Sequence, residues 1–125
     1  MDINDISYKV RGAIYEVHKE LGPGLLESVY HAAMLIELRH VGLKAKSEVP
    51  VFPYYKGEQL DLGFRMDILV EDVLVVELKS VEMLHDIHKK QVLNYLRISK
   101  KKLGILVNFN CVSLVDKVSL VRIIN

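Results

Sequence analysis

Residues Phe64 to Ser80 read FRMDILVEDVLVVELKS, two runs of strand-forming residues divided by Glu71-Asp72. Val, Ile and Leu dominate both runs, which suits a pleated, half-buried surface. Three ionisable residues interrupt them: Asp67 in the first run, Glu77 and Lys79 in the second. Charged side chains are seldom buried without partners, so a fold that accepts this stretch must also supply those partners.

How the two runs pair decides where the charges go. Side chains alternate between the faces of a strand, and directly opposed residues share a face. A two-residue turn at Glu71-Asp72 pairs Val70 with Val73 and sets Asp67 opposite Val76, on the other side from Glu77. A connection of odd length centred on Asp72, or one bulge, pairs Val70 with Leu74 and Asp67 with Glu77. One face then carries Met66, Ile68, Val70, Leu74, Val76 and Leu78, all apolar. The other carries Arg65, Asp67, Glu77 and Lys79. This second register separates the two chemistries, and it is the predicted one.

Two carboxylates and an ammonium on one sheet face suit a hard divalent cation such as Mg2+, which takes a few carboxylate oxygens and keeps several waters. Such a cation polarises a phosphoryl oxygen and lowers the pKa of bound water. Lys79 would hold that water or stabilise charge developing on phosphate. Taken alone, the Asp…Glu-x-Lys pattern also fits a solvated charged face or a surface ion pair, its commoner origin.

The chain has 125 residues, half of them hydrophobic and 26% charged. That predicts a single globular domain over 1–125 with a real core. No apolar run reaches the length of a membrane span, and the polar N-terminus does not read as a signal peptide. Cys111 is the only cysteine. It has no disulfide partner and no zinc-site company, so it reads as a small buried hydrophobe. These features together point to a cytoplasmic protein with no membrane partner. The net charge of +1 announces no global basic field, so any nucleic-acid contact must be local.

Asp2 to Leu21 reads as an amphipathic helix, with Ile6, Val10, Ala13, Ile14, Val17 and Leu21 on one side and Asn4 or Asp5 as its cap. Gly22-Pro23-Gly24 breaks it. A second helix is predicted from Leu26 to His40, burying Val29, Ala33, Leu35, Ile36 and Leu38. Lys44 to Tyr55 reads as a strand whose Pro50 and Pro53 place it at an edge or interrupt it with a bulge. Lys56-Gly57-Glu58 is a turn. A third helix spans Leu84 to Ile98, with Leu84, Ile87, Gln91, Leu93, Tyr95 and Ile98 near its inner side. The lysines at 100–102 suit a helix C-terminus. Leu103 to Asn108 is a buried strand, and Lys117 to Ile124 a last one. The order α-α-β-β-β-α-β-β makes a mixed β-sheet flanked by helices, an α/β fold.

Gly24-x-x-Glu27-x-x-Tyr30 lies in GPGLLESVY at 22–30. Joined to YYKG at 54–57, VELKSVE at 76–82, IHKKQVLNYL at 87–96 and LGILVNFN at 103–110, it resembles the GxxExxY family. That family is a small bacterial and archaeal branch of the PD-(D/E)xK nuclease-like superfamily. Any one motif is loose, but five in order across nearly the whole chain are specific. The resemblance implies a restriction-endonuclease-like fold. It implies Asp67 as the motif aspartate, Glu77 and Lys79 as the E-x-K pair, and Glu27 as an additional upstream acid. Met66 stands where the superfamily's proline would. A family likeness does not by itself establish an activity.

Other readings accompany those assignments. Glu27 also suits the helix dipole as a first-turn acid. Tyr30 and His31 lie on its side of the helix, where Tyr30 would hydrogen-bond Glu27 or pack beneath it. Gln91-x-x-x-Tyr95 resembles a helix motif of RecB-like nucleases; the glutamine would orient the lysine or contact phosphate, and the tyrosine would touch the nucleic-acid backbone. His88 extends that stripe. An ordinary half-buried polar pair has the same spacing. Arg65 would contact phosphate or neutralise the acids.

Two functions from different classes follow. The first is a Mg2+- or Mn2+-dependent nuclease with Glu27, Asp67 and Glu77 as metal ligands and Lys79 assisting. All four groups are present, whereas a degraded site would more often have lost one. The second is a non-catalytic module that binds nucleic acid or protein on the same fold. Arg39, Lys44, Lys46, Lys89, Lys90, Arg97 and the lysines at 100–102 are the cations available to follow a phosphate backbone. A structural ion cluster, with Lys79 bridging Glu77 and Asp67, is a third outcome. A short sheet edge is compatible with a homo-oligomer, without fixing a symmetry.

Overall fold

The computed structural model describes residues 1–125. Helix α1, Ile3–Leu21, buries Ile6, Val10, Ala13, Ile14 and Val17 along the expected stripe. Its cap is Asp2 rather than Asn4 or Asp5: the Asp2 carboxylate accepts the Asn4 N–H at 2.8 Å. Gly22, at φ 67°, ends the helix with its N–H on His18 O. No helix is long and apolar enough to cross a membrane.

Helix α2, Glu27–His40, departs in part from the expected stripe: Leu38 is buried and Ala33 and Leu35 pack on the core, as expected. Its buried residues are Tyr30, Met34 and Leu38, while Val29 and Ile36 are exposed. Tyr30 decides this rotation: its ring stacks on Phe109, with centroids 4.5 Å apart and planes at 7°. Burying the large Tyr30 ring on Phe109 leaves Val29 and Ile36 on the outer side of the helix.

The main sheet contains β1 (Ala45–Val51), β4 (Phe64–Val70), β5 (Leu74–Lys79), β6 (Leu103–Asn108) and β7 (Leu120–Ile124), in the order β1-β4-β5-β6-β7. Only β5 and β6 run parallel, joined by a crossover through α3, Asp86–Ser99. The strand expected over Lys44 to Tyr55 is divided. Its second part forms a separate hairpin of β2 (Tyr54–Tyr55) and β3 (Glu58–Gln59), turning at Lys56-Gly57. Pro50 is tolerated because β1 is an edge strand.

The β4–β5 register is the odd-length one, with Val70 opposite Leu74, Leu69 opposite Val75 and Ile68 opposite Val76. Glu71 and Asp72 adopt φ of 52° and 59°, and Val73 N–H donates to Val70 O at 3.0 Å. Ile68, Val70, Leu74, Val76 and Leu78 pack beneath α1 and α2, as expected. Leu69, Val75 and Leu106 face Val92 and Leu96 of α3. At Gly104 α3 comes so close to β6 that a Cβ there would lie 2.9 Å from Val92 Cγ1.

Met66 does not join the apolar face assigned to it. It packs with Leu69 and Val75, on the α3 side. On β1, Ala45 packs against the α1–α2 core, whereas Val49 and Val51 pack on the α3 side. All three have the same parity, as do Met66, Ile68 and Val70, so strict alternation fails on both strands at one level. The break lies between the pairs Ser47–Ile68 and Val49–Met66, at Glu48 (φ 51°) and Asp67. The β1–β4 ribbon turns over there.

Candidate active site

Where the ribbon turns over, backbone pairing between β4 and β5 stops one rung short of Asp67 and Glu77. Side chains replace the missing rung. Asp67 N–H donates to Glu77 Oε1 at 2.9 Å, and Leu78 N–H donates to Asp67 Oδ2 at 2.8 Å. The two acids therefore meet, as the register requires, but through reciprocal side-chain to backbone bonds.

Glu77 is 3% exposed. Burial, reinforced by the negative charge of Asp67, pushes its pKa up to about 9; the Asp67 N–H and the Lys79 ammonium oppose the shift. Glu27, the first residue of α2, sits exposed at the rim. Partial loss of hydration and then Asp67 raise its pKa, while Lys79 and His31 pull it down. Glu27, Asp67 and Lys79 thus interact across the fold although they lie far apart in the chain.

The start of α2 is held by a set of local bonds that explains the Gly-x-x-Glu-x-x-Tyr spacing. Tyr30 is fully buried, and its hydroxyl donates to Gly22 O and accepts from Leu25 N–H at 3.2 Å. Ser80 Oγ donates to Leu25 O at 2.6 Å, tying the same loop to the residue after Lys79. Tyr30 therefore bonds the loop preceding Glu27, not Glu27 itself, and it is closed to substrate. His31 Nε2 lies 2.8 Å from Ser47 Oγ.

On the other side, Lys79 Nζ donates to Gln91 Oε1 at 3.2 Å, which fixes the ammonium against α3. Tyr95 stacks on Phe64, with centroids 4.1 Å apart and planes at 10°. Burial, then Glu77 and Asp67, raise the pKa of its hydroxyl. His88 Nδ1 accepts the His85 N–H at 2.9 Å. Partial loss of hydration and then the nearby Lys79 lower its pKa. Gln91, Tyr95, His88 and Lys79 share the wall of one cleft.

Arg65 departs from the expected face. The ribbon's turn-over sends its guanidinium to Glu48, at 3.8 Å between two exposed side chains. Sequence reasoning gave no role to Asn108, which the fold makes a brace. Its Oδ1 accepts from Val81 N–H at 3.1 Å and Asn110 N–H at 3.2 Å, and its Nδ2 donates to Val81 O at 2.9 Å. Those bonds fix the loop after Lys79. The available signal was a polar residue closing the otherwise apolar run LGILVN.

Three acids against one lysine leave the site short of positive charge, with one acid buried at the cost of its ionisation. That donor set, hard anionic oxygens with excess negative charge, fits a divalent cation. As they stand, no three Asp, Glu, His or Cys side chains are grouped closely enough to hold a metal ion. A family model described as the PD-(D/E)XK nuclease superfamily matches residues 4–122. In comparisons with curated proteins and with solved structures, no match reached significance.

Proposed function

The chain belongs to the PD-(D/E)XK nuclease superfamily, and on that premise we propose that it hydrolyses nucleic-acid phosphodiester bonds with Mg2+ or Mn2+, as a member of the GxxExxY branch. The observation that carries this reading is Glu77, buried beside Asp67 in a place where its charge is unfavourable without a cation. In the folded chain that burial is met by holding a proton and accepting the Asp67 N–H, and a cation beside the two acids would let Glu77 ionise.

Asp67, Glu77 and Glu27 are the residues that would hold the cation. Glu27 is the exposed member, on the first turn of α2, so its carboxylate has room to close the site. When bound, the cation polarises the scissile phosphoryl group and acidifies water. Lys79 supplies positive charge to the phosphate as negative charge develops there. Gln91 holds the Lys79 ammonium in place, and Asn108, through Val81, fixes the loop that follows it. Tyr95 and His88 line the approach from the α3 side.

The test is cleavage of end-labelled single- and double-stranded DNA and RNA in Mn2+ or Mg2+. Wild type should cut at least one substrate, and Lys79→Ala and Asp67→Ala should each reduce cutting by a factor of a hundred or more, on the order of removing one electrostatic stabiliser. No cleavage with either cation, or cleavage unchanged in Lys79→Ala, would return the chain to the non-catalytic binding module.

A further inference from the structure

Helix α3 carries a stripe of which the core uses only part: Tyr95 packs at its margin, and Ile87 and Ile98 are left exposed. The residues it buries are Val92 and Leu96. Ile87 is 66% exposed and Ile98 38% exposed. With Gln91, Asn94 and Tyr95 between them, they occupy successive turns of one helix face. That face opens onto a cleft of about 580 Å3 whose other wall includes Phe64. The volume falls in the range of small-ligand pockets, roughly 300–1,000 Å3.

The chemistry of the lining is specific. Phe64 and Tyr95 give it an aromatic wall, and Ile87 and Ile98 give it aliphatic edges. Asn94 is exposed and its side chain has no hydrogen-bond partner within the protein, so its amide offers both a donor and an acceptor. Lys79 and Lys90 are the cations in the lining, and Lys79 is already held by Gln91. A surface that follows the phosphates of an intact double helix needs rows of cations. A partly apolar slot with an aromatic wall and a free amide suits a flat heteroaromatic ring.

We infer that this cleft seats one unstacked nucleobase, so the substrate is single-stranded nucleic acid or a duplex locally opened beside the scissile bond. The inference rests on the nuclease reading for its connection to Lys79, which is the shared wall between cleft and acids. A base held against Tyr95 and Ile98 would place its own sugar-phosphate within reach of Lys79. Bases inside an intact helix are stacked on their neighbours and closed to such a wall.

Binding and cleavage test it separately. Fluorescence anisotropy at fixed salt compares three labelled oligonucleotides of equal length: a single strand, its duplex, and a strand with abasic spacers in place of bases. The single strand is tried as DNA and as RNA. At least one form should bind about tenfold or more tighter than both the duplex and the abasic strand. Tyr95→Leu, which keeps apolar packing on Phe64 but removes the ring, should weaken binding by about 5- to 150-fold, the range for losing one base–aromatic stack. Ile98→Ser, at an exposed position, should weaken it in the same direction and leave thermal stability unchanged.

Equal binding of abasic and normal strands, or preference for duplex, overturns the inference. So does Ile98→Ser changing the oligomeric state in sedimentation, since the cleft would then be covered by a second copy. Cleavage that favours duplex sinks the base slot but leaves the nuclease standing. Base-dependent binding with no cleavage in any divalent cation does the reverse.

Discussion

Replacing Glu77 by glutamine should stabilise the protein while removing its activity. In an unfolded chain a glutamate titrates near its model value of 4.5, whereas Glu77 in the fold is pushed up to about 9. Between those values the folded chain holds one more proton than the unfolded chain. Stability therefore falls as pH rises through that window, and the full stability from this group is present only below the unfolded value. The slope is about 1.4 kcal/mol per pH unit. From pH 6 to pH 8 wild type should lose about 3 kcal/mol from this group alone. With an unfolding entropy of roughly 2.1 cal/mol/K per residue, that lowers Tm by about 10 °C. Glutamine keeps an oxygen for the Asp67 N–H and carries no charge, so Glu77→Gln should lack this loss. Comparing the two proteins cancels other titrating groups, among them His88, whose lowered pKa acts in the opposite direction over pH values just below its ordinary range. The assay is thermal unfolding by circular dichroism at half-unit pH steps in chelator, repeated with Mn2+. Wild type should fall towards alkaline pH in chelator, and Mn2+ should flatten the fall by stabilising the ionised carboxylate. A wild-type difference curve parallel to that of Glu77→Gln, or a variant less stable than wild type at pH 8, would refute the reasoning.

Other perturbations probe the scaffold. Tyr30→Phe keeps the stack on Phe109 but leaves the Leu25 N–H without its acceptor. It should cost about 1–3 kcal/mol in denaturant unfolding and reduce cleavage by loosening Glu27. Gly104→Val should destabilise by about 1–3 kcal/mol by overpacking α3 against β6, with no direct effect on cation binding.

The sheet was legible because charge and apolarity segregate only in one register of FRMDILVEDVLVVELKS, and that register is the one adopted. Glu27 joined the acids through a motif likeness, and its position depends on bonds from Tyr30 and Ser80 to the loop before it. Met66 and Arg65 were misplaced because alternation assumes a regular ribbon. The turn-over at Glu48 and Asp67 leaves no trace in a period-two pattern. On α2, Leu38, Ala33 and Leu35 pack as expected, but Tyr30 and Met34 take the place of Val29 and Ile36; Phe109, which stacks on Tyr30, comes from another part of the chain. Leu93 and Tyr95 of α3, and Leu84 just before it, pack on the core as expected, but the sheet buries Val92 and Leu96 most deeply, and Ile87 and Ile98 are left to line the cleft.

Calorimetric titration of Mn2+ at pH 7, in two buffers with different heats of ionisation, tests the central claim most directly. Wild type should bind with saturation and release about one proton, supplied by Glu77, and Asp67→Ala should bind far more weakly. Absence of saturable binding, or equal affinity and proton release in Asp67→Ala, would contradict it.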